Sequence, residues 1–150
     1  MVDYGGNTLA QCCMGVYENR LGGRVCVAGY YPWTYLQSQA KSAQLKSVMR
    51  WLSKDTLPGW VESFHKTNLW ARKPADGALA VAILNASLDP AEDIVLMLRS
   101  DAETVSVFDM RCEQTIVHAD GTDRAYRKYV LPRVEPWTMM LAVAREARRT

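Results

Sequence analysis

The period of the hydrophobic positions changes near residue 57. Upstream, Leu45, Val48, Met49 and Leu52 recur at spacings of three and four, while Lys46, Ser47 and Arg50 fall on the other side. That spacing draws an apolar stripe along one face and predicts an amphipathic helix over 43–52. The segment Asp55-Thr-Leu-Pro58-Gly59 follows. Proline cannot continue a helix and disfavours helical geometry in the residue before it, so the helix is expected to end there. Downstream the period is two, and the alternation predicts strands at 60–65, 68–72, 78–85, 94–99, 104–109, 115–119, 126–131 and 138–143. Turn formers separate them, among them Pro74-Ala-Asp-Gly77, Leu88-Asp-Pro-Ala91, Ser100-Asp-Ala-Glu103 and Ala119-Asp-Gly-Thr122.

Ahead of the helix, a short apolar segment from Cys12 to Tyr17 is followed by Glu18-Asn-Arg-Leu-Gly-Gly23 and then Arg24-Val-Cys-Val-Ala-Gly29. Two glycines closing a polar connection before a β-branched run predict a hairpin whose second strand is buried on both faces, with a helix over 12–17 as the competing reading of the first arm. The fold class expected is mainly β: an antiparallel β-sandwich of about eight strands, preceded by a β-hairpin and one amphipathic helix. The boundary divides the chain into 1–57, hairpin plus helix, and 58–150, the sandwich. The first part is too small to build its own core, so it must lean on the sandwich, on a second copy, or on a body outside this sequence.

Composition narrows the classes further. Apolar residues make up 49% of the 150 and charged residues 23%, as in ordinary globular chains, which excludes a disordered or fibrous design. Eighteen basic against sixteen acidic residues leave a formal charge of +2, too little for a polyanion partner. Arg145, Arg148 and Arg149 read as a solvated end, so no nucleic acid is expected. No apolar run is long enough to cross a bilayer, and no basic segment followed by an apolar stretch opens the chain, so no membrane partner is expected. The four cysteines, Cys12, Cys13, Cys26 and Cys112, form no Cys-x-x-Cys pair, and adjacent cysteines on a strand face opposite ways. They are expected to be small buried hydrophobes with reduced thiols and to bind no metal, which suits the cytoplasm better than an oxidising compartment.

The segment Tyr17-Glu-Asn-Arg-Leu-Gly-Gly-Arg-Val-Cys-Val-Ala-Gly-Tyr30 resembles a hairpin in bacterial β-galactosidases of the thermostable retaining type. There it closes the trimerisation domain, a class I glutamine-amidotransferase-like α/β domain, and runs into a final helix. In that family a small antiparallel β-sandwich ends the chain, commonly with an apolar strand finishing in Leu-Asn, as Ala80-Val-Ala-Ile-Leu-Asn85 does here. The resemblance implies that 1–57 is the end of a partial α/β domain and that the whole is the C-terminal part of a glycoside hydrolase. Its partners would be the parent's catalytic barrel or other subunits, a homo-oligomer included. The family's catalytic glutamates lie on an N-terminal barrel that no part of this sequence matches, so no catalytic residue carries over.

The residues themselves agree with a chain without catalysis. A retaining glycosidase needs two carboxylates about 5 Å apart with one held protonated. The acids here cluster at turns instead: Asp76, Asp89, Glu92, Asp93, Asp101, Glu103, Asp120 and Asp123. His65 and His118 are the only imidazoles, and no nucleophile-elbow sequence accompanies them. Neither Gly5-Gly6 nor Gly22-Gly23 makes a phosphate cradle, so no cofactor is expected. Asn85-Ala-Ser87 has the form of a glycosylation acceptor, but a strand-ending Asn that bonds the following turn explains it better.

Five tryptophans and seven tyrosines leave one binding alternative, a carbohydrate-binding module that stacks surface aromatics on sugar rings. Trp60, Trp70, Tyr31 and Trp33 are the candidates, with Tyr30 beside them; packing at seams between layers competes with this reading for all of them. Trp51, off the centre of the helix stripe, is expected to meet a neighbouring element supplied by the parent or by a second subunit. Pro-Trp-Thr occurs at 32–34 and again at 136–138, with unrelated flanks. It reads as local strand punctuation and not as a repeat. The function expected is therefore a structural accessory region, with carbohydrate binding as the alternative and a small cysteine or serine hydrolase as a distant third.

Overall fold

The computed structural model describes residues 14–29, 31, 37–74 and 77–145. The chain divides into two compact units, Met1–Asp55 and Thr56–Thr150.

In the first unit, strands β1 (Met14–Glu18) and β2 (Arg24–Ala28) pair antiparallel. Asn19 shapes their turn: its Oδ1 accepts from the backbone N–H of Leu21 at 2.9 Å and of Gly23 at 2.8 Å, while Gly22 supplies the left-handed residue at φ +80°. Helix α1 (Gln39–Leu52) is capped by Ser38, whose Oγ accepts from Lys41 N–H. Arg24 ties hairpin to helix. Its Nε donates to Glu18 at 2.8 Å, Nη1 donates to the Trp51 carbonyl, and the guanidinium lies 4.9 Å from the centre of the Trp51 ring. Trp51 therefore finds its neighbour inside its own unit.

Three expectations change here. No described residue of this unit is fully buried, and Val25 and Val27 on β2 are exposed, because the hairpin is a two-stranded sheet. The helix ends at Leu52, where the spacing predicts, but begins earlier, at Gln39 behind the Ser38 cap; after its end Lys54 and Asp55 take left-handed backbone, and the Asp55 carboxylate accepts from Arg50 Nε at 2.9 Å. Cys112, in the second unit, is exposed at a left-handed turn position, so the cysteines are not uniformly buried, although Cys26 and Cys112 are both free thiols. Cys12 and Cys13 lie outside the described residues.

The second unit is mainly β and antiparallel. Its strands are β3 (Gly59–Val61), β4 (Thr67–Arg72), β5 (Leu79–Asn85), β6 (Ile94–Leu98), β7 (Thr104–Phe108), β8 (Gln114–Asp123), β9 (Tyr126–Leu131) and β10 (Met139–Ala144). They run in the order β3-β6-β9-β8-β7-β10-β5-β4, and β3 also approaches β4, so the sheet is nearly closed. β8 is the fold line. Its first half pairs with β7 and its second half with β9, with a register shift between Ala119 and Thr122. Two layers result, β3-β6-β9 and β7-β10-β5-β4, and their inner faces meet in one core. Ile94, Leu96, Leu98 and Tyr129 come from the first layer; Val81, Ile83, Val105, Val107 and Ala142 come from the second.

All eight strands occur near their expected positions, with two differences of substance. β3 is only three residues long, because the chain bends at Ser63, whose Oγ accepts from Val95 N–H at 2.9 Å. Asp120-Gly121 is not a turn but the bulge inside β8, with Gly121 at φ +139°; the reversal comes later, at Arg124, φ 54°.

Candidate functional site

Directly opposed residues of antiparallel strands share a face, so the register determines what each face of the β7-β10-β5-β4 layer carries. One outward row runs Trp70, Ala82, Leu141, Phe108, Gln114. A second holds Asn68, Leu84 and Met139, and a third Arg72, Ala80, Val143, Ser106 and Ile116. The inward residues of the same strands are the core. β5 and β10 are thus apolar on both faces: Val81, Ile83, Met140 and Ala142 point in, while Ala82, Leu84, Met139 and Leu141 point out. A layer with one face in water alternates apolar and polar residues; one covered on both sides does not.

The outward residues remain accessible, Trp70 at 53%, Ile116 at 49%, Met139 at 41% and Leu141 at 37%. With Ala82, Leu84, Phe108 and Val143 they place apolar residues at outward positions across five strands, β4, β5, β10, β7 and β8, flanked by Asn68, Arg72, Gln114 and His118. Of these, Gln114 donates through Nε2 to Ser106 Oγ at 3.0 Å. Accessible apolar surface flanked by polar residues is the anatomy of a contact face.

The structure separates the aromatic residues expected to bind sugar. Trp70 projects outward from edge strand β4 between Asn68 and Arg72, and its ring is accessible. Trp60 is only 8% exposed, edge-on to Tyr126 with ring centroids 4.4 Å apart, and its Nε1 donates to Glu62; it fills a small core cluster with Met97 and offers no face to a ligand. The burial of Trp60 corrects its place among the surface aromatics. Tyr31 is exposed and lies in the other unit. Trp33 and Tyr30 lie outside the described residues.

Trp137, in the second Pro-Trp-Thr, is more exposed than Trp70 and sits at φ +56° in a tight turn. Leu141, Met139, Phe108 and Ile116 also escaped the sequence reading as surface residues. A signal for two of them was present, since Thr138-Met-Met-Leu-Ala-Val143 is apolar without alternation.

No catalytic constellation assembles among the described residues. His65 Nδ1 lies 2.9 Å from Ser63 Oγ, two residues away, but that hydroxyl already accepts from Val95 N–H and closes the bend after β3. His118 faces outward on β8 opposite Thr104. No three described His, Cys, Asp or Glu side chains are placed to share a metal ion. No described helix is long and apolar enough to cross a membrane. Asn85 does what a strand-ending Asn should: its Oδ1 accepts from Ser87 N–H and its Nδ2 donates to the carbonyls of Asp89 and Val134.

Comparison with protein-family models, with curated proteins and with solved structures found no match.

Proposed function

We propose that this chain is a non-catalytic accessory region that packs against the body of a larger enzyme through the outer face of the β7-β10-β5-β4 layer. The observation that carries this reading is the apolar character of β5 and β10 on both faces, with Trp70, Leu141, Met139 and Ile116 accessible on the outer one. A strand pair of that composition in the middle of a layer is built to be covered twice. The hairpin-and-helix unit adds to it, because Val16, Tyr17, Leu21, Val25 and Val27 are exposed there too. The body is taken to be a glycoside hydrolase of the β-galactosidase type on the resemblance of the 17–30 and 80–85 segments alone. Turnover of nitrophenyl galactosides by the 150-residue chain is the test. None is expected; turnover that disappears when the chain's own carboxylates are replaced would contradict the proposal.

A second reading, a carbohydrate-binding module, is favoured by one observation: Asn68, Trp70 and Arg72 stand on one face of an edge strand, an accessible ring between an amide and a guanidinium. It requires saturable oligosaccharide binding that Trp70→Ala abolishes without unfolding. No binding across a glycan array removes it.

A further inference from the structure

The end of the sandwich where β4 finishes and β5 begins opens into a cleft of about 510 Å³, walled by the segments before β3, after β4 and after β6 and by the β8–β9 turn. That volume lies within the range of about 300–1,000 Å³ typical of small-molecule sites, which also favour the mouths of barrel-like sheets. Its apolar lining is Pro58, Ala71, Leu79 and Ala125, and its charged lining is Arg72, Lys73, Arg99 and Asp101. The three cations are the distinctive part. Arg24, Arg50 and Arg133 each hold a carboxylate within the chain. The side chains of Arg72, Lys73 and Arg99 form no ion pair or hydrogen bond with any described residue. Ser100, on the same wall and 5% exposed, accepts from Ala102 N–H and donates to no described acceptor. Arg72, Lys73, Arg99 and Ser100 therefore line one concave volume, and their side-chain donors have no partner among the described residues.

We propose that this cleft binds a small organic oxyanion, a phosphate monoester or a carboxylate on a body of about monosaccharide size, with Arg72 and Arg99 as the paired anchors. Guanidinium donors match the two oxygens of either group, and the charge-assisted bonds that form are stronger than neutral ones. Lys73 adds a point charge, and Leu79 and Pro58 seat the uncharged part of the ligand. The site is independent of the packing role proposed above: none of the outer-face residues named there lines it except Arg72, which stands at the border of both.

The test is titration calorimetry of the full chain at low salt with glucose 6-phosphate, glucuronate and neutral glucose. Saturable binding of at least one anion is expected, with none for glucose and with weakening on added salt. Arg99→Gln and Arg72→Gln should each lower the affinity about tenfold, the effect of losing one charge-assisted contact. Arg133→Gln, away from the cleft, should leave it unchanged. All three side chains are exposed, and a circular-dichroism melt of each variant confirms the fold. Preference for the phosphate or for the carboxylate identifies the head group, and either supports the proposal. It is overturned if neither anion binds, if glucose binds equally well, or if both cleft variants retain wild-type affinity.

Discussion

Asn85 is only 1% exposed and donates to the carbonyls of Asp89 at 2.9 Å and Val134 at 3.0 Å, while its backbone N–H and C=O pair with Thr138 and Trp137. One side chain thus joins the β5–β6 connection to the loop that leads into β10. Asn85→Ala removes both donors and strands buried carbonyls, so it should cost about 3 kcal/mol in urea unfolding, against under about 0.5 kcal/mol for Ser87→Ala at the more accessible neighbouring position. Tyr129 is the second residue of this kind. Fully buried, its hydroxyl donates to the Ala102 carbonyl, and burial pushes its pKa up from 10.0 to about 12 despite the opposing charge of Arg127. The unfolded chain therefore gives up this proton first as the pH rises. Stability from the group is complete below pH 10 and is lost on the way to about 12. Tyr129→Phe should flatten the alkaline limb of a stability-against-pH curve between those limits.

At the scale of elements, β8 decides the architecture by changing partners midway, from β7 to β9. Gly121 makes the change possible: at φ +139° it occupies backbone open to almost no other residue, although nothing lies within 4 Å of where a Cβ would stand. Gly121→Ala should thus cost about 1–2 kcal/mol through conformation alone, visible as a lower urea midpoint with an unchanged m-value. The same bulge shows where sequence stops being readable. Tyr126–Leu131 is legible because Tyr129 and Leu131 face the core with the accessible Val130 between them, while Tyr126 packs on the other face with Trp60 and Met97. Asp120-Gly121 carries the chemistry of a hairpin turn, and only the partner strands reveal a bulge. Trp60 and Trp70 sit in equally strand-like stretches. What separates a core ring from a surface ring is that Trp60 lies opposite Met97 and against Tyr126, whereas Trp70 lies outward on an edge strand opposite Ala82. The end of α1 at Leu52 is legible from its apolar stripe, whereas its start at Gln39 is not, because Gln39 to Ser42 lie ahead of the stripe and only the Ser38 cap on Lys41 N–H marks them.

At the scale of the molecule, a nearly closed sheet encloses one core and still presents a second apolar surface outside it, across Trp70, Ala82, Leu141 and Phe108. That outer row was only half legible: the apolar runs of β5 and β10 are plain in the sequence, but their alignment with Trp70 and Phe108 needs the register. An accessory region that packs through this face should self-associate when its partner is withheld, because Trp70, Ile116, Met139 and Leu141 are accessible on it. Sedimentation velocity of the isolated chain over a concentration series, beside Leu141→Glu, tests this directly. The wild-type chain should show concentration-dependent association, and the variant should remain monomeric with a melting temperature within a few degrees of wild type, as for an exposed substitution. A wild-type chain that is monomeric throughout, or association that survives Leu141→Glu, would contradict the outer face as the contact surface.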